Sequence, residues 1–312
     1  MSTDHAKYQR LIDYCKTIPP TPTAVVHPCD QGSLEGAMEA ARLGLIAPIL
    51  VGARERIRAV ADACGIDLSE VQMVEAPHSN AAAAAAVALV REGRAEALMK
   101  GSLHTDELMG AVVRRDTGLR TARRVSHCFV MDVPGRDEAL IITDAAVNIA
   151  PTLEEKADIL QNAIDLAHAL RVAEVRVAIL SAMETVNPKV PSTVEAAALC
   201  KMMDRGQITG ALVDGPLALD NAIDIEAARI KKIESPVAGR ANVLLVPDLE
   251  AGNMLAKSLT FLAGADAAGI VLGARVPIIL TSRADSMMTR LASCAVAVLV
   301  AKARREGGRI LG

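Results

Sequence analysis

Polar residues near the end of the chain have the types and spacing needed to hold an oxyanion. Residues 281–286, TSRADS, follow an apolar run that ends at Leu280 and lead into a long helical stretch. The hydroxyl of Ser282, the guanidinium of Arg283 and the free N–H groups of a helix start could converge on a phosphate. Ser282, Asp285 or Ser286 could equally be a plain helix cap. The segment therefore predicts either an anion site or an ordinary capped helix.

A second segment, ALMKGSLHTDELM, has the same character. Lys100 ends an apolar run and supplies a positive charge, and Gly101 allows a tight turn with close backbone approach. Thr105 stands where the next helix starts and where free N–H groups favour an anion. The alternative is a capped turn with a solvated lysine. Taken alone the segment favours that alternative, and only its combination with other segments makes it a candidate binding site.

The third segment, LIITDAAVNIAPTLEEK, puts Asp144 and Asn148 after a buried run and before a long helix. These side chains could contact a ligand, or they could stabilise the loop through hydrogen bonds to their own backbone. The sequence supports both readings equally.

The fourth segment, ALVDGPLALDNAID, carries Asp214, Gly215 and Pro216 at the end of a predicted strand, with Asp220 and Asp224 behind them. Three carboxylates this close could hold a divalent cation. They are more often turn and cap residues, so we expect no metal site.

Alternating strands and helices must position these segments. Most of the strand candidates are continuous apolar runs, as expected for strands covered on both faces, and helical stretches with start signals separate them. This alternation predicts a mainly parallel sheet with ligands at the carboxyl ends of its strands. The strand candidates are residues 24–27, 48–51, 71–74, 97–100, 128–133, 140–143, 175–180, 210–213, 243–246, 269–272 and 278–280.

Composition excludes several classes of protein. Hydrophobic residues make up 51% of the 312 residues, which is enough for a large core and argues against wholesale disorder. The net charge is −3, and Trp is absent, so a basic or base-stacking nucleic-acid surface is not expected. The sequence contains none of the P-loop, G-x-G-x-x-G, G-x-S-x-G and H-E-x-x-H motifs.

The cysteines and the N-terminus indicate the compartment. Six scattered cysteines form no C-x-x-C pair, which is typical of free thiols in a reducing cytoplasm. The first residues have mixed charge and no apolar stretch, and no apolar run approaches the roughly 18 residues of a membrane span. We therefore expect a cytoplasmic protein that does not associate with membranes.

Taken together and in order, the segments resemble the phosphate acetyltransferase/phosphate butyryltransferase family. The resemblance covers about the last two-thirds of the chain, and six ordered matches make it far more specific than any single motif. The matching segments are residues 99–109, 143–159, 181–193, 206–223, 235–259 and 276–286.

The resemblance implies a reaction and a fold. In this family acyl-CoA and inorganic phosphate react reversibly to give acyl phosphate and CoA, with no tightly bound cofactor. The implied fold is a two-domain α/β/α structure like that of isocitrate and isopropylmalate dehydrogenases, with the active site in the interdomain cleft and usually a homodimer. We expect residues 1–138 and 284–312 to form the first domain and residues 139–283 to form an inserted second domain.

The resemblance also suggests residue roles. Arg283 would hold phosphate or the developing charge, and Ser282 would hydrogen-bond the thioester oxygen or the departing sulfur. The acetyltransferase branch has an aspartate base seven residues after that serine, where this chain has Thr289. Asp285 is the nearest carboxylate that could replace it. The segment TSRADS resembles the butyryltransferase branch more than the acetyltransferase branch. The other segments would supply the substrate-binding residues Lys100, Gly101, Thr105, Asp144, Asn148, Asp214, Gly215 and Pro216.

Two alternatives stay open. One is a metal- and NAD-dependent decarboxylating dehydrogenase of the same fold, with Asp214, Asp220, Asp224 and Asp248 as candidate ligands. The other is an inactive CoA-binding homologue, which the absence of an aspartate at Thr289 would explain.

Overall fold

The computed structural model describes residues 6–282 and 285–307. The chain divides into two compact units, which we call the terminal unit, His5–Arg123 with Ala268–Gly312, and the middle unit, Arg124–Ala267. The domain boundaries expected from the sequence, after residues 138 and 283, are not those of the compact units, and the division into domains stays a prediction.

The first part of the terminal unit alternates helices and strands with short connections. Helices α2 and α4 start at a side-chain cap, as where Asp30 accepts the N–H of Ser33, and α2, α3 and α4 are each followed within two residues by a glycine with positive φ. The elements are α1 Ala6–Cys15, β1 Thr21–Val26, α2 Gln31–Arg42, β2 Ile46–Gly52, α3 Arg54–Cys64, β3 Gln72–Glu75, α4 Ser79–Arg91, β4 Ala97–Lys100 and α5 Thr105–Val112.

The middle unit continues the alternation. Its elements are β5 Ser126–Asp132, β6 Leu140–Thr143, α6 Leu153–Ala169, β7 Arg176–Leu180, α7 Pro191–Asp204, β8 Leu212–Leu217, α8 Leu219–Ile223, α9 Ile225–Ile230, β9 Val243–Leu245 and α10 Leu249–Ala263. The terminal unit is then completed by β10 Asp266–Leu272, β11 Ile278–Ile279 and α11 Met287–Arg305.

Strand pairing within each unit is mostly parallel. In the terminal unit the order is β3-β2-β1-β4-β11-β10, and only the β10–β11 pair is antiparallel. In the middle unit the order is β5-β6-β9-β7-β8, with β5–β6 antiparallel and the rest parallel. The predicted mixed α/β fold with a mainly parallel sheet is therefore confirmed.

The cores are aliphatic, as the composition requires. Leu34, Leu50 and Leu98 are fully buried in the terminal unit. A cluster around Met131, Ile142 and Leu244 fills the middle unit. Helix α11 is unusual because every residue from Thr289 to Ala301 is buried, so it is a core helix rather than a surface one. Among the described residues, no helix combines the length and the apolar character needed to cross a membrane.

All eleven predicted runs contain a strand, and one needs correction. The run at 210–213 was expected to end before Asp214, but β8 extends to Leu217 and takes Asp214, Gly215 and Pro216 into the strand. Among the described strands β8 pairs only with β7, so it is an edge strand. Proline has no backbone N–H, and the free edge of β8 needs none at Pro216.

Candidate active site

Three loops of the terminal unit leave its sheet at the same edge. The parallel register aligns Val26 with Lys100 and Met99 with Ile279. The residues that follow β1, β4 and β11 must therefore lie close together at the carboxyl end of these strands. This is the edge at which the sequence places Lys100 and Ser282.

The turn after β4 packs tightly against the end of β1. A Cβ on Gly101 would lie 2.4 Å from the carbonyl oxygen of Val26, so only glycine fits without a backbone shift. Ser102 Oγ donates to the carbonyl of His27 at 2.7 Å and accepts the N–H of Cys29 at 3.2 Å. These contacts fix the turn after β4. Lys100, the last residue of that strand, is only 8% exposed and is therefore held in place at this edge of the sheet.

The helix start after this turn is also firmly capped. Thr105 is the first residue of α5 and is half-buried. The Glu107 carboxylate accepts the N–H of His104 at 2.8 Å and the hydroxyl of Ser79 at 2.5 Å. The turn is capped, as the alternative to a binding site expects, but its lysine is not solvated, since Lys100 is only 8% exposed. A role of Thr105 in binding stays a prediction.

The loop after β11 carries the central candidates. Ser282 is exposed, and its N–H donates to Asp285 Oδ2 at 2.6 Å. Arg283 and Ala284 lie outside the described residues. Ser286 caps α11 by accepting the N–H of Thr289 at 3.1 Å, so the cap role that the sequence left open among three residues belongs to Ser286. Asp285 is free of that task and faces back into the loop.

The electrostatics at Asp285 are mixed. Partial burial raises the pKa of its carboxyl above the ordinary value, while the Ser282 N–H, Arg290 and Lys100 act in the opposite direction. Asp285 is therefore a carboxylate with two cationic side chains in its neighbourhood, and it is a better proton acceptor than a fully exposed aspartate.

Thr289 is an unsuitable base. Its side chain is 5% exposed, and its Oγ1 accepts the hydroxyl of Ser286 at 3.2 Å. A buried threonine hydroxyl is not deprotonated near neutral pH, so it offers no basic form that could take up a proton. If any side chain takes the role of the acetyltransferase aspartate, it must come from another position.

In the middle unit the Asp144 side chain is satisfied internally. It is 3% exposed and accepts five N–H donors. Four are backbone groups, those of His127, Ala146, Val147 and Asn148, and the fifth is the Asn148 amide at 2.6 Å. Of the two readings of this segment, the hydrogen-bonded loop is the one seen in the structure.

Asn148 completes the same network. Its amide also donates to the carbonyl of Val125 at 2.9 Å, and its Oδ1 accepts from Arg124 Nε at 2.7 Å. Next to this network His127 is 1% exposed, and burial lowers its pKa to about 4, against the opposing effect of Asp144. Asp144 and Asn148 thus hold the loop after β6 in shape, and direct contact with a substrate stays a prediction.

Asp214, Gly215 and Pro216 lie within β8. A Cβ on Gly215 would lie 2.8 Å from both Cβ and O of Ile179, so the strand pair approaches too closely for a side chain. The Asp214 carboxylate accepts the N–H of Gly215 at 2.8 Å. Within the part of the chain that the structure describes, no three His, Cys, Asp or Glu side chains are grouped closely enough to hold a metal ion.

One residue that the sequence analysis missed lies beneath the Ser282 loop. Arg290, on α11, is buried and donates to the loop backbone. The signal was present, since a single arginine interrupts the apolar first part of this helix, MMTRLASCAVAV.

Comparison with known proteins adds independent evidence. A family model described as "Phosphate acetyl/butaryl transferase" matches residues 78–298, more than half of the chain. A phosphate acetyltransferase of Rhizobium meliloti is 67% identical over 300 residues, which cover 96% of this chain and 95% of that protein. A phosphate butyryltransferase of Clostridium acetobutylicum is 42% identical over 87% of this chain and 90% of its own length.

A solved structure agrees with these relatives. The crystal structure of a branched-chain phosphotransacylase from Enterococcus faecalis V583 superposes with a TM-score of 0.76 at 30% identity. The match covers 89% of this chain and 98% of the other.

The relatives correct one expectation. The TSRADS wording suggested the butyryltransferase branch, but the identity to the acetyltransferase is 67% against 42% to the butyryltransferase. A six-residue loop samples little of the chain, whereas identity over the whole chain reflects how closely two proteins are related.

Proposed function

This chain belongs to the phosphate acetyl/butyryltransferase family and is a phosphate acyltransferase, and we propose that acetyl is its preferred acyl group. The observation that supports acetyl is the 67% identity to a protein named phosphate acetyltransferase. The substrates in this proposal are acyl-CoA and inorganic phosphate, and the products are acyl phosphate and CoA, without a tightly bound cofactor.

The reaction needs few groups. A phosphate oxygen attacks the thioester carbonyl carbon, a tetrahedral oxyanion forms, and the C–S bond then breaks to release the CoA thiolate, which takes up a proton. Phosphate is already a competent nucleophile near neutral pH, so positioning and charge stabilisation carry most of the catalysis. No acyl-enzyme intermediate is needed.

We assign the reacting groups to the loop after β11. Arg283 would bind phosphate through its guanidinium fork, and the Ser282 hydroxyl would hydrogen-bond the thioester oxygen or the leaving sulfur. Asp285 would accept a proton from phosphate where one must be removed. The observation that carries this assignment is that Ser282 and Asp285 lie at the same sheet edge as Lys100, whose charge acts on Asp285.

Lys100, Gly101 and Thr105 would form the second half of the anion site. The charge of Lys100 and the N–H groups at the start of α5 favour an anion at this edge. In the middle unit Asp144 and Asn148 would shape the loop that meets acyl-CoA, and Asp214, Gly215 and Pro216 would line the same substrate. That the active site lies in a cleft between two domains of an isocitrate-dehydrogenase-like fold stays a prediction.

A series of acyl-CoA substrates tests the function. CoA release should depend on phosphate and should be fastest with acetyl-CoA among chains from C2 to C8. Phosphate-independent release throughout the series would contradict the assignment of an acyltransferase, and a maximum at butyryl-CoA would contradict only the choice of acetyl.

An arginine pair tests the site. Arg283→Ala should lower kcat/KM for phosphate by about 100-fold or more, because removal of one charge-stabilising donor typically costs that much. Arg205→Ala, at an exposed position after α7, is the matched control and should behave like the wild type. An Arg283→Ala enzyme with the wild-type rate would remove this residue from the mechanism.

The inactive-homologue alternative makes a distinct prediction. Such a protein would bind CoA in calorimetry and release none in the assay. The dehydrogenase alternative would need Mg²⁺ or Mn²⁺ and NAD reduction, and the described residues offer no ligand cluster for the metal.

Assembly and location are further proposals. We propose a homodimer, as the family resemblance implies, and Phe261 and Leu262 of α10, 80% and 87% exposed, are apolar side chains that a second copy could cover. Light scattering of the purified protein would test it, with a monomer at micromolar concentration as the contrary result. The cytoplasmic location expected from the cysteine pattern stays a prediction.

A further inference from the structure

Arg290 is a buried cation attached to the loop that carries Ser282. Its residue is 6% exposed. One terminal nitrogen donates to the hydroxyl oxygen of Thr281 at 3.3 Å, and the other donates to the carbonyl oxygen of Ser282 at 2.9 Å. That carbonyl belongs to the peptide bond joining Ser282 to Arg283. Arg290 therefore holds the backbone at the point where the two proposed reacting residues are linked.

Helix α2 is shaped to leave room for this side chain. A Cβ on Gly36 would lie 3.0 Å from Arg290 Cδ, and a Cβ on Gly32 would lie 3.4 Å from a terminal nitrogen of the guanidinium. Both glycines occupy the same face of α2, one turn apart. Glycine in a helix is unfavourable relative to alanine, so its presence at Gly36 is explained by the space that Arg290 occupies, whereas the distance at Gly32 is that of an ordinary van der Waals contact.

The charge of Arg290 also acts on the loop. Asp285, which accepts the Ser282 N–H, experiences the positive charges of Arg290 from α11 and of Lys100 from β4. The backbone of Ser282 is thus fixed by two hydrogen bonds. Its carbonyl accepts from Arg290, and its N–H donates to Asp285.

We infer that Arg290 is a positioning residue for acyl transfer, which fixes the backbone at Thr281 and Ser282 so that the Ser282 hydroxyl meets the substrates. The inference rests on the proposed roles of Ser282 and Arg283. Two donors in one rigid plane are needed to reach the Thr281 hydroxyl and the Ser282 carbonyl together, and a lysine ammonium has no such fork.

Three variants separate positioning from general stability. Arg290→Met keeps an unbranched apolar stem and removes the charge and the hydrogen bonds to Thr281 and Ser282, and kcat should fall by about 100-fold, the effect expected when reacting groups move by about an ångström. Arg290→Lys should recover part of this loss, to within about tenfold of the wild type. Arg304→Met, on the same helix, removes a guanidinium that donates to Ala274 and should keep the wild-type kcat.

A pH profile gives a readout that a merely structural role would not change. Arg290 favours the carboxylate form of Asp285, so its removal shifts the protonation of Asp285 to higher pH. The acid limb of the kcat profile should move to higher pH in Arg290→Met and stay in place in Arg290→Lys and Arg304→Met. An unchanged acid limb together with a wild-type kcat in Arg290→Met would overturn the inference.

A glycine pair tests the same idea without touching the arginine. Gly36→Ala should displace Arg290 and lower kcat by roughly tenfold, since an overpacked neighbour must move. Gly110→Ala, in α5, is the matched control, because a Cβ there meets nothing within 4 Å. If Arg290→Met fails to fold, the glycine pair and Arg290→Lys test the inference instead. Wild-type kcat values in Gly36→Ala and in Arg290→Lys would then contradict it.

The failure of the inference is distinguishable from that of the proposed function. Wild-type rates in Ser282→Ala and Arg283→Ala would show that the site itself is assigned wrongly. Large losses in those two variants, with wild-type kinetics in Arg290→Met, would leave the site intact and remove only Arg290 from it.

Discussion

The loop after β6 in the middle unit and the loop after β11 in the terminal unit begin from the same sequence signal and end in different states. Both place polar residues directly after a buried strand that has one parallel and one antiparallel neighbour. In the first, the Asp144 carboxylate is buried and accepts five N–H donors of its own surroundings. In the second, Ser282 is exposed while its backbone is held from below by Asp285 and Arg290.

This difference teaches how to separate structural from reactive polar residues. A side chain whose hydrogen-bonding capacity is consumed inside the protein stabilises the fold, and its loss should appear in unfolding experiments. A side chain that is exposed on a backbone fixed by others can act on a ligand, and its loss should appear in kinetics. The four predictions below test this contrast, from the largest expected effect to the smallest.

Asp144→Ala should lower the free energy of unfolding by about 3–5 kcal/mol, because several buried N–H groups lose their acceptor. Asp248→Ala is the matched control, since Asp248 follows β9 in the same unit and accepts one N–H, that of Ala251. That control should cost about 1 kcal/mol, the usual value of a helix cap. Equal urea midpoints for the two variants would erase the proposed contrast.

Ser282→Ala should lower kcat by about 100-fold, equivalent to about 2.7 kcal/mol of transition-state stabilisation. Its unfolding free energy should stay within about 0.5 kcal/mol of the wild type, because the side chain is exposed. Ser286→Ala should show the reverse balance, with about 1 kcal/mol lost from the α11 cap and a smaller change in kcat. A stability loss without a kinetic loss in Ser282→Ala would place this loop in the structural class.

Acidification should weaken the middle unit through His127. Its pKa falls from 6.5 in the unfolded chain to about 4 in the folded protein, so the unfolded state binds more protons between these values. The stabilising contribution is present above pH 6.5 and is lost as the pH falls towards 4, by roughly 2 kcal/mol between pH 7 and pH 5.

His127→Gln should flatten that pH dependence, as measured by urea unfolding at several pH values. His104→Gln, at an exposed position in the terminal unit, should leave the slope unchanged. The same slope in His127→Gln as in the wild type would show that another group titrates in this range.

Lys100→Met should raise KM for phosphate by about tenfold, equivalent to about 1.4 kcal/mol, with little loss of stability. The stability should change little because a buried cation is costly to desolvate, and an apolar side chain of similar length replaces it. Lys257→Met, at an exposed position of α10, should leave KM unchanged. A wild-type KM for phosphate in Lys100→Met would exclude Lys100 from the anion site.

Much of the fold could be predicted because its signals are local. Continuous apolar runs bounded by glycine and cap residues predicted all eleven strands, and Ala97–Lys100 and Leu140–Thr143 were predicted with the observed ends. The end of β8 was wrong because proline usually stops a strand, and whether it is tolerated depends on which strand lies at an edge. That information is in the topology and not in the residues near Pro216.

The candidate site was predictable only in part. Residues 281–286 were identified from their types alone, but the division of labour between Asp285 and Ser286 depends on backbone geometry that the sequence does not specify. Asp144 could not be classified because both readings require the same residue types. The single charge in the apolar first part of α11 marks Arg290, but its contacts with Thr281, Ser282 and the distant Gly36 arise only through packing, so its role was missed.

Helix α11 gives the terminal unit an inflexible mount for its loop. Because residues from Thr289 to Ala301 are enclosed on all sides, the helix has no free face along which to slide or rotate. Directed evolution aimed at longer acyl chains should therefore find few tolerated substitutions within α11. Gains in substrate range would have to come from substitutions in the turns that flank α11, which can change how the substrate is contacted without moving the helix.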